Sequence, residues 1–194
     1  MKAADAAPGT PQPPPGSRRA SGGHRLAGRG LTLMELVIAL AVIAILATSA
    51  APSLAAMVAR HRVKAAADTL AAHLAEARFE AVRRGLPVHL SFRGQGDTWC
   101  YALATAPNLD CQVTQASALR VVHSRSHPGV ALADSRNTGF DPRGGVLLNP
   151  GGAQFASVRG DLLQVRLTPL GRASVCAPER AVGSVSPCQV IHPG

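Results

Sequence analysis

The stretch Arg29-Gly30-Leu31-Thr32-Leu33-Met34-Glu35, with the apolar run Leu36 to Ala51 behind it, decides the fold. Within that run only one Thr and one Ser are polar. Counted from Leu31, a helix over this segment would be roughly 31 Å long at ~1.5 Å per residue, about the hydrocarbon thickness of a bilayer. The sequence therefore predicts a transmembrane helix over residues 31–52.

One ionisable side chain, Glu35, interrupts the apolar segment. A carboxylate that faces lipid costs on the order of 2.5 to 3.5 kcal/mol or more unless it finds a partner. An isolated membrane anchor has no use for such a group. Glu35 is therefore predicted to have a function of its own.

The order of Gly30, an apolar residue and a Glu at the fifth place after the Gly resembles the processing signal of type IV prepilins and type II secretion pseudopilins. In that family a prepilin peptidase cuts after the glycine, here Gly30, and methylates the new amine, here on Leu31. The resemblance implies that Glu35 pairs with the ammonium of a neighbouring subunit in a filament. A free α-amine has a pKa of about 7.7 to 8 and is cationic at neutral pH, which makes burial of the carboxylate tolerable. The family usually has Phe where this chain has Leu31.

Two simpler functions also fit the apolar run. It could be a plain single-pass anchor or a secretory signal cleaved near Ala47-Thr48-Ser49. Neither explains Glu35 or the junction at Gly30. Arg18-Arg19 is similar to a twin-arginine signal, but the apolar run begins well downstream of that pair. The prepilin-type signal is the preferred interpretation.

Residues 1–30 are rich in Pro, Gly and Ala, have no hydrophobic period and are predicted to be a cytoplasmic leader removed by the peptidase. This leader is long for the family, which leaves a later start codon open. The whole chain has a net charge of +9, and all basic residues except Lys2 and Lys64 are arginine. The arginine bias makes the high charge weaker evidence for a nucleic-acid partner.

Pro52 ends the membrane run and predicts a kink or a local break there. Residues 53–85 are predicted to form an amphipathic helix with Gly85 as its C′ residue. Its apolar positions recur every three or four residues and should face a core: Val63, Ala66, Leu70, Leu74, Ala77 and Ala81. The opposite side carries Arg62, Asp68, Glu76, Glu80 and Arg83.

Residues 86–194 contain short alternating apolar runs separated by Gly and Pro, which is typical of an antiparallel β head. A hairpin is predicted from Val88 to Leu103, with its turn at residues 93–97. Further strands are predicted at 119–123, 130–133, 146–148, 155–158, 162–168 and 172–176. The inner face of this sheet is the expected partner of the helix stripe.

Four head motifs make the chain similar to the GspH/FimT family of minor pseudopilins. They are the helix end Ala77-Arg78-Phe79-Glu80-Ala81-Val82-Arg83-Arg84, then Pro87-Val88-His89-Leu90 with Trp99, then Phe140-Asp141-Pro142-Arg143-Gly144, and finally Leu170-Gly171-Arg172. The resemblance implies an α+β, pilin-like fold, in which a long N-terminal helix, half transmembrane and half amphipathic, packs on an antiparallel β-sheet head. It also implies a single-pass protein of the inner membrane with its head in the periplasm, whose partners are other minor and major pseudopilins or pilins.

The four cysteines all lie in the head. Four cysteines allow three pairings, and export to the periplasm would oxidise them. The local pairs Cys100–Cys111 and Cys176–Cys188 are expected, with free buried thiols as the alternative. A zinc site is disfavoured because no pair has the tight spacing of zinc ligands.

No catalytic, cofactor or metal site is predicted. His123 and His127 are four residues apart, but Pro128-Gly129 follows and the segment is predicted to be a loop. The paired glycines at 144–145 and 151–152 lack the Lys and Ser/Thr of a phosphate loop and are predicted to be turns. Enzymatic activity is therefore not expected.

Two functions of different classes fit the resemblance. In the first, the protein is a structural subunit, a minor pseudopilin of a type II secretion pseudopilus. In the second, it is a FimT-like minor pilin of a type IV pilus that binds DNA for uptake in natural transformation. FimT-like proteins have a C-terminal Gly-Arg-x-Arg whose arginines meet DNA; here Arg172 matches and Ser174 replaces the second arginine. The structural role is therefore preferred, with Arg172 as the candidate DNA contact.

Overall fold

A computed structural model describes residues 32–112 and 117–189. Contacts divide the chain into two compact units, one that ends at Ile43 and one that begins at Ala44. Within these described residues, one long helix, α1 (Leu33–Arg84), is followed by nine strands. The fold class predicted from sequence is confirmed, since a long N-terminal apolar helix and antiparallel sheets are both present. Gly30 and Leu31, which form the predicted cleavage site, lie outside the described residues.

Helix α1 begins after Thr32 and ends at Arg84. It remains helical through Pro52, so the structure contains no local break there. Loss of one backbone hydrogen bond leaves the bonds on either side in place, and the helix continues. Gly85 has φ +65°, the left-handed conformation that commonly ends helices and that glycine adopts without strain.

The buried side of α1 begins at Ala59. All six positions of the predicted apolar stripe are buried, together with Ala67. They share one core with residues of both sheets, among them Leu90, Phe155 and Leu163. The 3.6-residue period therefore identified the face of the helix that packs on the head.

The strands of the head are short and wholly antiparallel. In chain order they are β1 (Val88–Gln95), β2 (Thr98–Ala104), β3 (Ala118–His123), β4 (Val130–Arg136), β5 (Thr138–Phe140), β6 (Leu147–Asn149), β7 (Gly152–Ser157), β8 (Leu162–Leu167) and β9 (Ala173–Cys176). A short 3-10 turn, Ser124–Ser126, lies between β3 and β4.

The described part of the head contains two sheets, where the sequence predicted one. Sheet A has the order β3-β2-β1-β5-β6, and sheet B has the order β4-β7-β8-β9. Backbone hydrogen bonds between Gly96 and Leu132, of 2.9 and 2.8 Å, join the β1–β2 turn to β4. Sheet membership depends on pairing between distant strands, which a local pattern does not specify.

Several predicted boundaries were wrong. The hairpin turn is shorter than predicted, because β1 pairs through Gln95 with Thr98. Strand β5 was missed, since Thr138-Gly139-Phe140 has too few residues to show alternation. Gly152, predicted to be in a turn, is the first residue of β7, whereas Val158 lies beyond the end of that strand.

Candidate functional site

The first turn of α1 holds the carboxylate that the sequence singled out. Thr32 caps the helix, because its Oγ1 accepts the N–H of Glu35 at 3.2 Å. The spacing Thr-x-x-Glu is that of a capping box, a local signal that the sequence itself contains. The Glu35 side chain is exposed, and its carboxylate has no hydrogen bond or ion pair among the described residues.

The first half of α1 exposes nearly all of its apolar side chains. Its most apolar window has a mean hydropathy of 2.4 and none of that window is buried, so by length and composition the helix is long enough to cross a membrane. The two hydroxyls in the run bond back to the helix, Thr48 to the carbonyl of Ile45 at 2.9 Å and Ser49 to that of Leu46 at 2.8 Å. Neither hydroxyl therefore needs a partner in an apolar environment.

Arg78 lies beneath two turns that the head motifs supply. A Cβ atom on Gly145 would stand 2.5 Å from Cγ of Arg78, and one on Gly171 would stand 3.6 Å from its Cδ. Both glycines have positive φ, +65° and +73°. Asp141 forms the first turn by accepting the N–H of Arg143 at 2.7 Å. These motif residues therefore form one packed unit.

Trp99 links the two sheets from the centre of the head. It is 3% exposed, and its Nε1–H donates to the carbonyl of Val130 on β4 at 2.9 Å. Its ring stacks on Tyr101 at 6.2 Å between centroids and on His127 at 6.0 Å, and it meets Phe155 at 5.2 Å. The lone tryptophan is thus a core residue and not a stacking surface for a ligand.

A hydrogen bond between His73 and Tyr101 connects α1 to sheet A. Nδ1 of His73 lies 2.8 Å from the Tyr101 hydroxyl. Burial lowers the pKa of His73, and the nearby Arg120 guanidinium lowers it further. Burial raises the pKa of Tyr101, so its hydroxyl stays protonated at neutral pH and is available as a donor.

Ion pairs cover the polar side of the helix. Arg120 on β3 contacts both carboxylate oxygens of Glu76, at 2.8 and 3.1 Å. Hydrogen bonds from Arg83 and Arg84 lower the pKa of Glu80 to about 2. Ion pairs that remain in contact with solvent contribute little stability individually.

Two disulfides join the cysteines in local pairs. Cys100 is bonded to Cys111 with Cα atoms 6.0 Å apart, and Cys176 to Cys188 with Cα atoms 4.8 Å apart. The first lies in a small buried cluster with Ala102, Ala104 and Leu109. The second ties the end of β9 to the C-terminal segment.

Arg172, the candidate DNA contact, is exposed at the turn before β9. Its backbone N–H donates to Oγ1 of Thr168 at 3.2 Å, which leaves the guanidinium outside that turn's hydrogen bonds. Ser174 stands on β9 where a second arginine would be needed, and its Oγ lies 3.5 Å from the carbonyl of Arg166. The structure thus presents Arg172 without that partner.

Metal ligation finds no support in the described part of the chain, which contains no group of three or more His, Cys, Asp or Glu side chains placed to hold an ion. His123 is the last residue of β3, and His127 packs on Trp99. Burial lowers the pKa of His127. Its ring is therefore partly buried against Trp99.

A family model described as type II transport protein GspH matches residues 66–171, more than half of the chain. The matched region contains Arg78, Gly145 and Gly171; it begins after Glu35 and ends before Arg172. No curated protein and no solved structure matches the chain significantly. From the family match and the long apolar helix on antiparallel sheets, the chain belongs to the GspH family and is, at family level, a type II secretion pseudopilin.

Proposed function

We propose that this protein is a minor pseudopilin, a non-enzymatic structural subunit of the type II secretion pseudopilus. The observation that carries the proposal is the uncovered apolar half of α1 with a single carboxylate, Glu35, in its first turn. Apolar side chains that the protein itself leaves exposed need lipid or other helices around them. A subunit that passes from a membrane into a bundle of helices has lipid around this half of α1 at first and other helices around it afterwards.

The proposed precursor spans the inner membrane once, with its leader in the cytoplasm and its head in the periplasm. Prepilin peptidase removes residues 1–30 and methylates the amine of Leu31. The ammonium then pairs with Glu35 of a neighbouring minor or major pseudopilin. An unpaired carboxylate on an apolar helix supports this pairing, because such a group is costly in a low-dielectric bundle until it meets an opposite charge.

The test separates the charge of Glu35 from its place in the capping box. Glu35→Gln keeps a side chain that suits a capping box and removes the charge, whereas Glu35→Val removes both. We expect both variants to be cleaved normally, to be missing from sheared pseudopili and to lower secretion. Glu76→Gln, on the exposed side of the head helix, is the matched control and should assemble. Wild-type assembly of Glu35→Gln would refute the ion pair as the role of this residue.

DNA binding for uptake, as in a FimT-like minor pilin, is the second candidate. Arg136, Gly152 and Arg166 stand opposite one another on β4, β7 and β8, and such residues share a face. Gly152 carries no side chain, so the two arginines flank a groove, roughly 10 Å apart at their Cα atoms. Arginines in this arrangement suit phosphate contacts. Arg166 also donates to the carbonyl of Gln189 at 2.9 Å, and Asp134 lines the same groove, so the structural role is proposed first.

A further inference from the structure

We propose that the β7–β8 turn and the part of α1 next to it form a surface that rests on anionic phospholipid headgroups before the subunit enters the pseudopilus. This headgroup surface consists of Leu54, Val58, Arg62, Gly129, Val158 and Arg159. The inference rests on the proposed membrane insertion of α1. It adds a second point of contact with the bilayer, made by the head.

The β7–β8 turn is fixed by its own hydrogen bonds. Ser157 Oγ accepts the N–H groups of Arg159 at 3.2 Å and of Asp161 at 3.1 Å. The N–H of Ser157 donates to the carbonyl of Asp161 at 2.9 Å. Ser157 and Asp161 are both buried, whereas Val158 at the tip is 73% exposed. A rigid turn therefore holds an apolar side chain out of the head.

A groove of about 510 Å³ separates this tip from α1. Val158 Cγ1 and Arg62 Nη1 lie 3.4 and 3.5 Å from the position that a Cβ atom would take on Gly129, so the turn and the helix both approach this glycine, which forms the floor of the groove. Leu54, on the helix side, is 63% exposed. The groove is apolar inside and has arginines at its edge.

The charges beside the groove favour an anionic membrane surface as its binding partner. Arg60 Nε lies 3.7 Å from Asp161 Oδ2, but Arg62 and Arg159 have no acidic partner within salt-bridge distance among the described residues. Unpaired arginines beside exposed Leu and Val are the composition that binds anionic membrane surfaces. A second copy of this chain on the same surface would bring like charges together, which disfavours that occupant.

The position of the groove along α1 also favours contact with lipid headgroups. The groove starts at Ala51, where the apolar run ends. At ~1.5 Å per residue, Leu54 lies about 5 Å and Val58 about 10 Å beyond Ala51 along the helix axis. The headgroup layer extends roughly 5 to 8 Å past the hydrocarbon, and an arginine reaches toward it with its flexible stem. Leu54 therefore stands within the headgroup layer. Val58 and Arg62, about 10 and 16 Å beyond Ala51, lie past its edge, and the Arg62 stem, which points back along the helix, extends its guanidinium towards the headgroups.

The experiment uses the full chain reconstituted in phosphatidylcholine vesicles with or without phosphatidylglycerol. A bimane probe on Val158→Cys reports quenching by lipids that carry a nitroxide on the headgroup. The native cysteines are paired and do not take the label. The matched control is Phe79→Cys, 65% exposed on the same helix but about 42 Å beyond Ala51.

We expect the Val158 probe to be quenched several-fold more than the Phe79 probe when phosphatidylglycerol is present. Arg62→Gln with Arg159→Gln should bring it to the control level. Equal quenching of the two probes, or quenching that is the same with and without phosphatidylglycerol, would overturn the inference. Quenching that falls as the protein-to-lipid ratio rises would also overturn it, because a second copy would then cover the surface. Carbonate extraction is measured in parallel: a chain that is extracted refutes membrane insertion itself, whereas an inserted chain with an unquenched Val158 refutes only the headgroup surface.

Discussion

The carbonyl oxygen of Gly145 lies 2.8 Å from the position that a Cβ atom would take on Gly171. The two glycines belong to motifs that are 26 residues apart in the sequence, and their turns meet over Arg78. Any side chain on Gly171 would have to displace backbone. The glycine that precedes Arg172 is therefore required for packing, whatever the arginine does.

Replacement of Gly171 should destabilise the head more than replacement of a glycine in open space. Gly171→Ala combines a positive φ of +73° with backbone contact, and we expect a loss of about 2 to 3 kcal/mol in the free energy of unfolding. Gly183→Ala also has a positive φ, +58°, but no atom within 4 Å, and should cost about 1 kcal/mol. Urea unfolding of the full chain in detergent, followed by Trp99 fluorescence, measures both. Equal losses would show that the contact with Gly145 is relieved at no cost.

Local periodicity made the helix predictable. The spacing of Val63, Leu70, Leu74 and Ala81 identified the buried side of α1, and alternation identified the hairpin of β1 and β2. These patterns are set by residues close in sequence, so the sequence alone contains them. The short loops between the cysteines likewise made the local pairs the expected ones.

Contacts between distant segments were not predictable in the same way. Strand β5 has a glycine at its centre because His89 Nδ1 and Leu148 Cδ1 lie 2.9 and 3.1 Å from where a Cβ atom of Gly139 would stand. A three-residue strand of that kind shows no alternation. The cap at Thr32 is a different case, because its signal, Thr followed three residues later by Glu, is local.

Stability should fall as the solution becomes mildly acidic. Burial and Arg120 hold the folded pKa of His73 below the ordinary value of 6.5, so below that pH the unfolded chain binds more protons than the folded one. The free energy of unfolding should therefore decrease between about pH 7 and pH 5, with contributions from His89 and His127, whose pKa values burial also lowers. His73→Gln should reduce this dependence, whereas His61→Gln on the exposed side should not. If His73→Gln leaves the pH dependence of the free energy of unfolding unchanged, His73 is not a source of that dependence.

The two disulfides should be found in oxidised material as Cys100–Cys111 and Cys176–Cys188 by non-reducing peptide mapping. Each closes a loop of about a dozen residues, for which chain entropy gives about 3 kcal/mol. Cys100→Ala with Cys111→Ala should cost more than Cys176→Ala with Cys188→Ala, because the first pair also fills a buried cluster. A crossed map, or four thiols that alkylate in periplasmic material, would contradict the pairing.

Processing should produce a mature chain that begins with N-methylated Leu31. Gly30→Trp should leave the precursor uncut, because the peptidase would then meet a bulky residue at the cleavage site. Gly28→Trp, two residues upstream, is the matched control and should be cut. The intact mass of the protein from purified membranes shows whether each variant is cut. An N-terminus near Ala50 would favour an ordinary secretory signal.

DNA binding offers the sharpest distinction between the two proposed functions. The chain carries a net charge of +9, so weak binding to double-stranded DNA is expected at low salt from charge alone. Under the structural role, binding should vanish near about 0.15 M salt, and Arg172→Ala and Arg125→Ala, both exposed, should weaken it equally. Each substitution should reduce the slope of log K against log salt concentration by no more than about 0.9, the value for one lost phosphate contact. Binding that persists at physiological salt and that Arg172→Ala or Arg166→Ala removes while Arg125→Ala does not, together with reduced transformation, would instead favour DNA uptake, because only a localised contact discriminates between arginines of equal charge.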